Sequence, residues 1–322
     1  MKHKVTITLI LLTMFLVTQF IGLFVVNAYT PIEITDPLTN QTNISTANQL
    51  PYGLEPEEQE DLNILDIVIS FALAFTIIFL LIKYKWRKFM RTWFLLVTII
   101  AIAISLTAIL RYTSIPNAAI VALIITVPLA TFKIFKPNAY IHNITELLIY
   151  PGIATIFVPI LTTTSIIILL VIISIYDIWA VWKSGIMQKM AKFQMEELKI
   201  FGGFLITSAS KKTREKIKLL KQKYKGKKIP AKVKKQKFKV SIAILGGGDV
   251  VFPIITAGVF MRVYGIIPAL FIIFGALFGL SLIFMTSEKK KSYPAMPYIS
   301  SGIFIALILW RISVYLITKV LL

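Results

Sequence analysis

Asp177 and Asp249 stand where a carboxylate is least expected. Each lies inside a strongly apolar run, Ser174-Ile-Tyr-Asp-Ile-Trp-Ala-Val181 and Ile242-Ala-Ile-Leu-Gly-Gly-Gly-Asp-Val-Val-Phe252. A charge within a membrane helix is costly and marks a functional site by default. Two carboxylates that face each other at low dielectric cannot both ionise, so they share a proton. Such a pair suits acid–base work on a peptide bond. The ionised member takes a proton from water, the water attacks the carbonyl, and the protonated member supports the developing gem-diol. That chemistry needs no metal, no cofactor and no covalent intermediate.

The rest of the composition narrows the chemistry in the same direction. There is no cysteine, which excludes disulfides, thiolate metal sites and a cysteine nucleophile. The two histidines, His3 and His142, argue against a histidine-built zinc site or a serine–histidine triad. Two further acids, Asp66 and Glu146, fall near the ends of apolar runs, where they can reach water and read as interfacial anchors.

Hydrophobic residues make up 57% of the 322 and charged residues 16%, with a mean hydropathy of +0.80. A soluble domain carries about a quarter charged residues, so this chain reads as an all-α, polytopic membrane protein. About 20 apolar residues cross a hydrocarbon core of roughly 30 Å as a helix. Nine candidate transmembrane helices follow, near 5–28, 63–84, 90–110, 115–135, 144–162, 164–182, 240–263, 265–285 and 298–320. The first has a basic start and a small-residue end at Val26-Asn27-Ala28. It exceeds the roughly 7–15-residue core of a signal peptide, however, and reads as a retained helix.

Charge sets the orientation and the organisation. The net charge is +20, and nineteen of the 35 Lys and Arg lie between Lys183 and Lys239. The segment 29–62 has seven acids and no Lys or Arg. By the positive-inside tendency, the amino terminus and the 183–239 loop are expected in the cytoplasm. The carboxyl terminus then falls outside the cell membrane. Lys83 to Arg91, Lys133 with Lys136, and Lys289 to Lys291 fall on the same inner side. The chain divides into a six-span part (1–182), a flexible basic loop (183–239) and a three-span part (240–322). The lysines suit anionic lipid headgroups. No aromatic stacking platform accompanies them, which argues against nucleic acid.

Asp177 precedes Lys183 by six residues and Asp249 follows Lys239 by ten, roughly 9 Å and 15 Å of helix from the inner boundary. The two helices run in opposite directions, so the carboxylates can meet at one depth. Gly246, Gly247 and Gly248 each weaken a helix by roughly 1 kcal/mol. They serve either close helix packing or an opening for an extended substrate, and beside an aspartate the second is the expectation. Arg311, inside the ninth span, needs a partner or a route to the interface. Asp66 is one candidate partner.

These motifs resemble the presenilin and signal peptide peptidase superfamily of GxGD-type intramembrane aspartyl proteases. Tyr176-Asp177 is similar to the family's YD motif on the sixth span. Gly246-Gly247-Gly248-Asp249 is similar to GxGD on the seventh, and Pro294-Ala295-Met296-Pro297 to the PAL motif opening the ninth, with Met296 in place of leucine. The resemblance implies proteolysis of transmembrane helical substrates, with Asp177 and Asp249 catalytic. Tyr176, the three glycines and the proline motif would line the site. Gly247, at the variable position, is expected to enlarge an adjoining pocket. The basic loop between the catalytic spans implies the presenilin orientation. A membrane-helix substrate must unwind before cleavage, and the stretch Glu288 to Tyr293 is expected to offer it a strand edge. The rival reading is a proton- or cation-coupled secondary transporter built on the same two aspartates. A third is a silent scaffold whose basic loop meets anionic lipids.

Overall fold

A computed structural model describes residues 5–30, 49–54, 86–136, 138–184, 200–209, 240–287 and 293–321. It also describes two short strands at 33–35 and 42–44 and scattered positions between 69 and 86. Eight α-helices are present among these residues: α1 Val5–Ala28, α2 Arg87–Tyr112, α3 Ala118–Phe135, α4 Ala139–Phe157, α5 Thr163–Trp179, α6 Gly247–Tyr264, α7 Ile266–Thr286 and α8 Met296–Leu321. Seven of them, all but α4, are long and apolar enough to cross a membrane. The expected span at 63–84 lies largely outside the described residues, so the count of nine is not reached.

Two antiparallel hairpins modify the all-α expectation. β1 (Glu33–Thr35) pairs with β2 (Thr42–Ile44), and β3 (Gly203–Ala209) pairs with β4 (Val240–Gly246). The second matters most. The seventh helix was expected from residue 240, but 240–246 is a strand and the helix begins at Gly247. The run Val240-Ser-Ile-Ala-Ile-Leu245 is as apolar as a membrane helix, and its β-branched residues also suit a strand. Apolar content alone cannot separate the two. The basic loop likewise contributes β3, while 210–239 lies outside the described residues.

Local signals set most helix ends. Asn138 accepts the Tyr140 N–H at 3.0 Å and starts α4 five residues earlier than the apolar run does. Thr162 accepts the Ser165 N–H at 3.1 Å and starts α5. Each side-chain oxygen satisfies an orphan donor of the first turn. α6 and α7 are joined through Gly265 alone, at φ +83°, a backbone region that other residues enter only with strain. The last turn of α5 passes into a π-helical turn, Ala180–Ser184.

The core is shared by α1, α2, α4, α5, α6, α7 and α8 with the paired strands β3 and β4. Leu11 and Phe15 of α1, Ile254 of α6, and Ile272 and Ile273 of α7 are fully enclosed, so α1 is a wall of the bundle. Apolar side chains such as Ile308, Leu309 and Ile312 cover the outer surface of α8 and suit contact with lipid. α7 and α8 touch backbone to backbone: a Cβ on Gly302 would strike the Gly275 carbonyl, and one on Gly279 the Tyr298 carbonyl. Small residues at such a crossing replace hydrophobic driving force with close packing. Gly302→Leu should therefore lower stability by about 2–3 kcal/mol. The neighbouring, exposed Ser301→Leu should stay within about 0.5 kcal/mol. Thermal unfolding of both variants in detergent measures the difference.

Candidate active site

Asp177 lies in the last turn of α5, nearly buried at 8% exposure. A carboxylate there needs donors, and α8 supplies them. Met296 opens α8, so its N–H has no partner inside the helix. That N–H donates to Asp177 Oδ2 at 3.0 Å. Pro297, at the second position of the helix, has no N–H and so leaves no orphan donor. Pro294 and Met296 are buried beneath. One turn away on α5, Ser174 Oγ donates to Ser300 Oγ at 3.0 Å. The YD-like and proline motifs thus meet through a charge-to-backbone bond. Ser174 and Ser300 were not singled out from the sequence, although Ser174 lies three residues before Asp177 and on its face of the helix.

Asp249 sits three residues inside α6, whose N-cap is Gly246. Its carboxylate turns back onto the Gly246 backbone, the reciprocal half of a capping box. A Cβ on Gly246 would stand 3.0 Å from Asp249 Oδ2, so glycine leaves the carboxylate its place. A Cβ on Gly247 would stand 3.0 Å from the ring and hydroxyl of Tyr150. The enlarged pocket expected at Gly247 is therefore filled by Tyr150. Gly248 has only Phe252 nearby, at 3.8 Å, and is exposed. Behind α6, Gln19 of α1 donates to the Val250 carbonyl at 3.0 Å.

α5 packs against both α6 and α8, so the last turn of α5, with Asp177, and the first turn of α6, with Asp249, belong to packed helices. Tyr176 carries its ring beside Trp179, 6.2 Å between centroids. Among the described residues no group of three or more His, Asp and Glu is placed to hold a metal. Glu288 to Ser292 lie outside the described residues, as does Asp66. Arg311 lies over the Trp310 ring, 5.6 Å from its centroid.

The hairpin β3–β4 leads straight into this site, and α4 carries a polar face against it. Tyr150 meets Phe204 edge-on at 5.7 Å, His142 Nε2 donates to the Gly203 carbonyl at 2.7 Å, and Asn143 bonds to Leu205. Glu146 is not the water-reaching anchor its position suggested. It is 2% exposed and pairs with the equally enclosed Lys133 of α3 at 2.5 Å. A buried charge without such a partner would be severely destabilising.

Three comparisons bear on this arrangement. The family model described as signal-peptide peptidase, presenilin aspartyl protease matches residues 21–315. Two solved structures of a presenilin family intramembrane aspartate protease share the fold. The one in space group C222 has a TM-score of 0.55 at 17% identity, covering 94% of this chain and 97% of its own. The one in P2 has a TM-score of 0.54 at 18% identity, covering 93% and 95%. No curated protein sequence matches. The transporter alternative draws no support from these matches. With a match over nearly its whole length, the chain belongs to the signal-peptide peptidase and presenilin aspartyl protease family of multi-pass membrane proteins.

Proposed function

We propose that the protein is an intramembrane aspartyl endopeptidase in which Asp177 and Asp249 activate water against peptide bonds of transmembrane segments. The observation that carries this reading is the convergence of two carboxylates from different helices. Asp177 is held by the amino end of α8, and Asp249 stands in the first turn of α6, a helix packed against α5. One carboxylate, ionised, takes a proton from water while the oxygen adds to the scissile carbonyl carbon. Its protonated partner gives a proton to the carbonyl oxygen, completing a gem-diol. Collapse of the gem-diol returns a proton to the amide nitrogen, breaks the C–N bond and leaves a carboxyl and an amine.

The substrate must first lose local helix, because its scissile carbonyl is otherwise bonded within the segment. Each freed backbone group costs several kcal/mol in hydrocarbon unless it finds a partner. Strand addition to β4 supplies partners. β4 runs directly into Gly246 and Asp249, so a segment paired there brings its backbone to the carboxylates. Pro294 keeps α8 from extending backward, which leaves the Met296 N–H free for Asp177. The basic loop 183–239 is placed in the cytoplasm, against anionic headgroups, and the carboxyl terminus outside.

Asp177→Ala and Asp249→Ala should each lower cleavage of a single-span peptide by about 1,000-fold or more, with folding retained. Mass analysis of the products in detergent decides it, and appreciable turnover by either variant would refute the assignment. Matched substrates that differ only by a Gly-Gly step near the cleavage site should be cut faster when glycine is present. Pro294→Ala should slow cleavage without unfolding the protein. Equal rates for both substrates, with a fully active Pro294→Ala, would rule out strand addition while leaving the carboxylate pair intact. In intact cells, an impermeant lysine reagent should leave 183–239 unmodified. Labelling of that loop would reverse the orientation.

A further inference from the structure

We propose that Asn143 is a positioning residue that closes the outer edge of β3, so that a substrate segment adds only to β4, beside Asp249. The assignment rests on the strand-addition reading above. Its basis is a pair of hydrogen bonds from one side chain. Asn143 Oδ1 accepts the Leu205 N–H at 3.0 Å, and Asn143 Nδ2 donates to the Leu205 carbonyl at 3.0 Å. A primary amide carries the same donor and acceptor as a peptide group, so Asn143 stands where the next strand would pair.

The ladder shows which edge this is. Leu205 is opposite Ile244 and Gly203 is opposite Gly246. In an antiparallel pair, alternate residues turn both backbone groups away from the partner strand. Leu205 uses its groups outward, on Asn143, and Gly203 likewise gives its carbonyl to His142 Nε2. The two outward positions of β3 nearest Asp249 are therefore both occupied by α4. The same alternation turns the Ile244 N–H and carbonyl outward on β4. Among the described residues no hydrogen bond reaches them, and Ile244 is 40% exposed. One edge of the hairpin is capped and the other is open, and the open edge is continuous with the aspartate.

The cap is held firmly. His142, Glu146 and Tyr150 follow each other at four-residue intervals along one face of α4, with Asn143 adjoining. Glu146 bonds to Lys133 of α3, which also reaches Thr145 Oγ1 at 3.3 Å. This fixes the rotation of α4 that points Asn143 at Leu205. A segment paired with β3 would lie about three strand spacings, ~14 Å, from one paired with β4. That is too far for attack by the same water.

The absence of cysteine makes the test direct. Leu205→Cys and Ile244→Cys are each placed in an Asp249→Ala background, which retains substrate. Each is exposed to a synthetic single-span peptide of about 30 residues bearing one cysteine near a Gly-Gly step. Directly opposed residues on adjacent strands are close enough for a disulfide. The peptide should cross-link to Ile244→Cys in every case, and to Leu205→Cys only when Asn143→Leu is added. In the otherwise native enzyme, Asn143→Leu should also lower kcat by about tenfold, the factor expected for one or two lost hydrogen bonds, without raising KM. Leu205 amide exchange should quicken. Asn143→Asp keeps the acceptor and loses the donor, and carries the same readouts if Asn143→Leu does not fold. Cross-linking at Leu205→Cys with Asn143 intact overturns the proposal, as does none there after its removal. Failure to cross-link at Ile244→Cys, with Asp249→Ala still inactive, would instead sink strand addition and spare the protease.

Discussion

A carboxylate enclosed in an apolar bundle must be given hydrogen-bond donors, and a membrane helix has none to spare except at its amino end. This constraint organises the protein around Asp177. Its Oδ2 takes the Met296 N–H, one of the few backbone donors at that depth left without an internal partner. The two prolines make this possible from opposite sides. Pro294 stops the helix from continuing backward, and Pro297 occupies its first turn without adding another donor. α8 must then begin beside α5, and Ser174 bonded to Ser300 repeats the joint one turn further on.

Asp249 meets the same requirement by a different route. It turns back on the entrance of its own helix, where Gly246 has no side chain to exclude it. For that entrance to exist, the chain must arrive extended, and β4 does so under the constraint of β3. The hairpin is thus the device that ends the helix before Asp249 and turns an apolar run into an edge. Three glycines in succession divide the labour: one admits the carboxylate, one admits Tyr150, and the third is left exposed.

The hairpin in turn depends on α4, which turns a polar face to it. His142, Asn143 and Glu146 would be liabilities on a lipid-facing surface. Turned inward, they bind the backbone of β3 and the ammonium of Lys133. α4 thus acts on the site both through the strand it braces and through Tyr150 against Gly247, while α3 supplies the Lys133 ammonium. Gln19 of α1 braces α6 directly, through the Val250 carbonyl.

Much of this was legible in the residues. Apolar length located seven helices long enough to cross a membrane, because a bilayer demands about 20 such residues whatever surrounds them. Asp177 and Asp249 stood out because a charge in an apolar run is costly. What the sequence could not decide was anything that depends on a partner from elsewhere in the chain. Val240 to Gly246 reads equally as helix or strand until β3 lies beside it. Glu146 reads as an anchor until Lys133 is seen at 2.5 Å. Gly247 reads as an opening until Tyr150 fills it. The sequence by itself determined the membrane class and the two carboxylates, since both follow from the cost of placing polar groups in hydrocarbon. Only the tertiary structure decided which backbone groups satisfy those carboxylates and which edge of the hairpin stays open, because hydrogen bonds between distant residues leave no periodic trace along the chain.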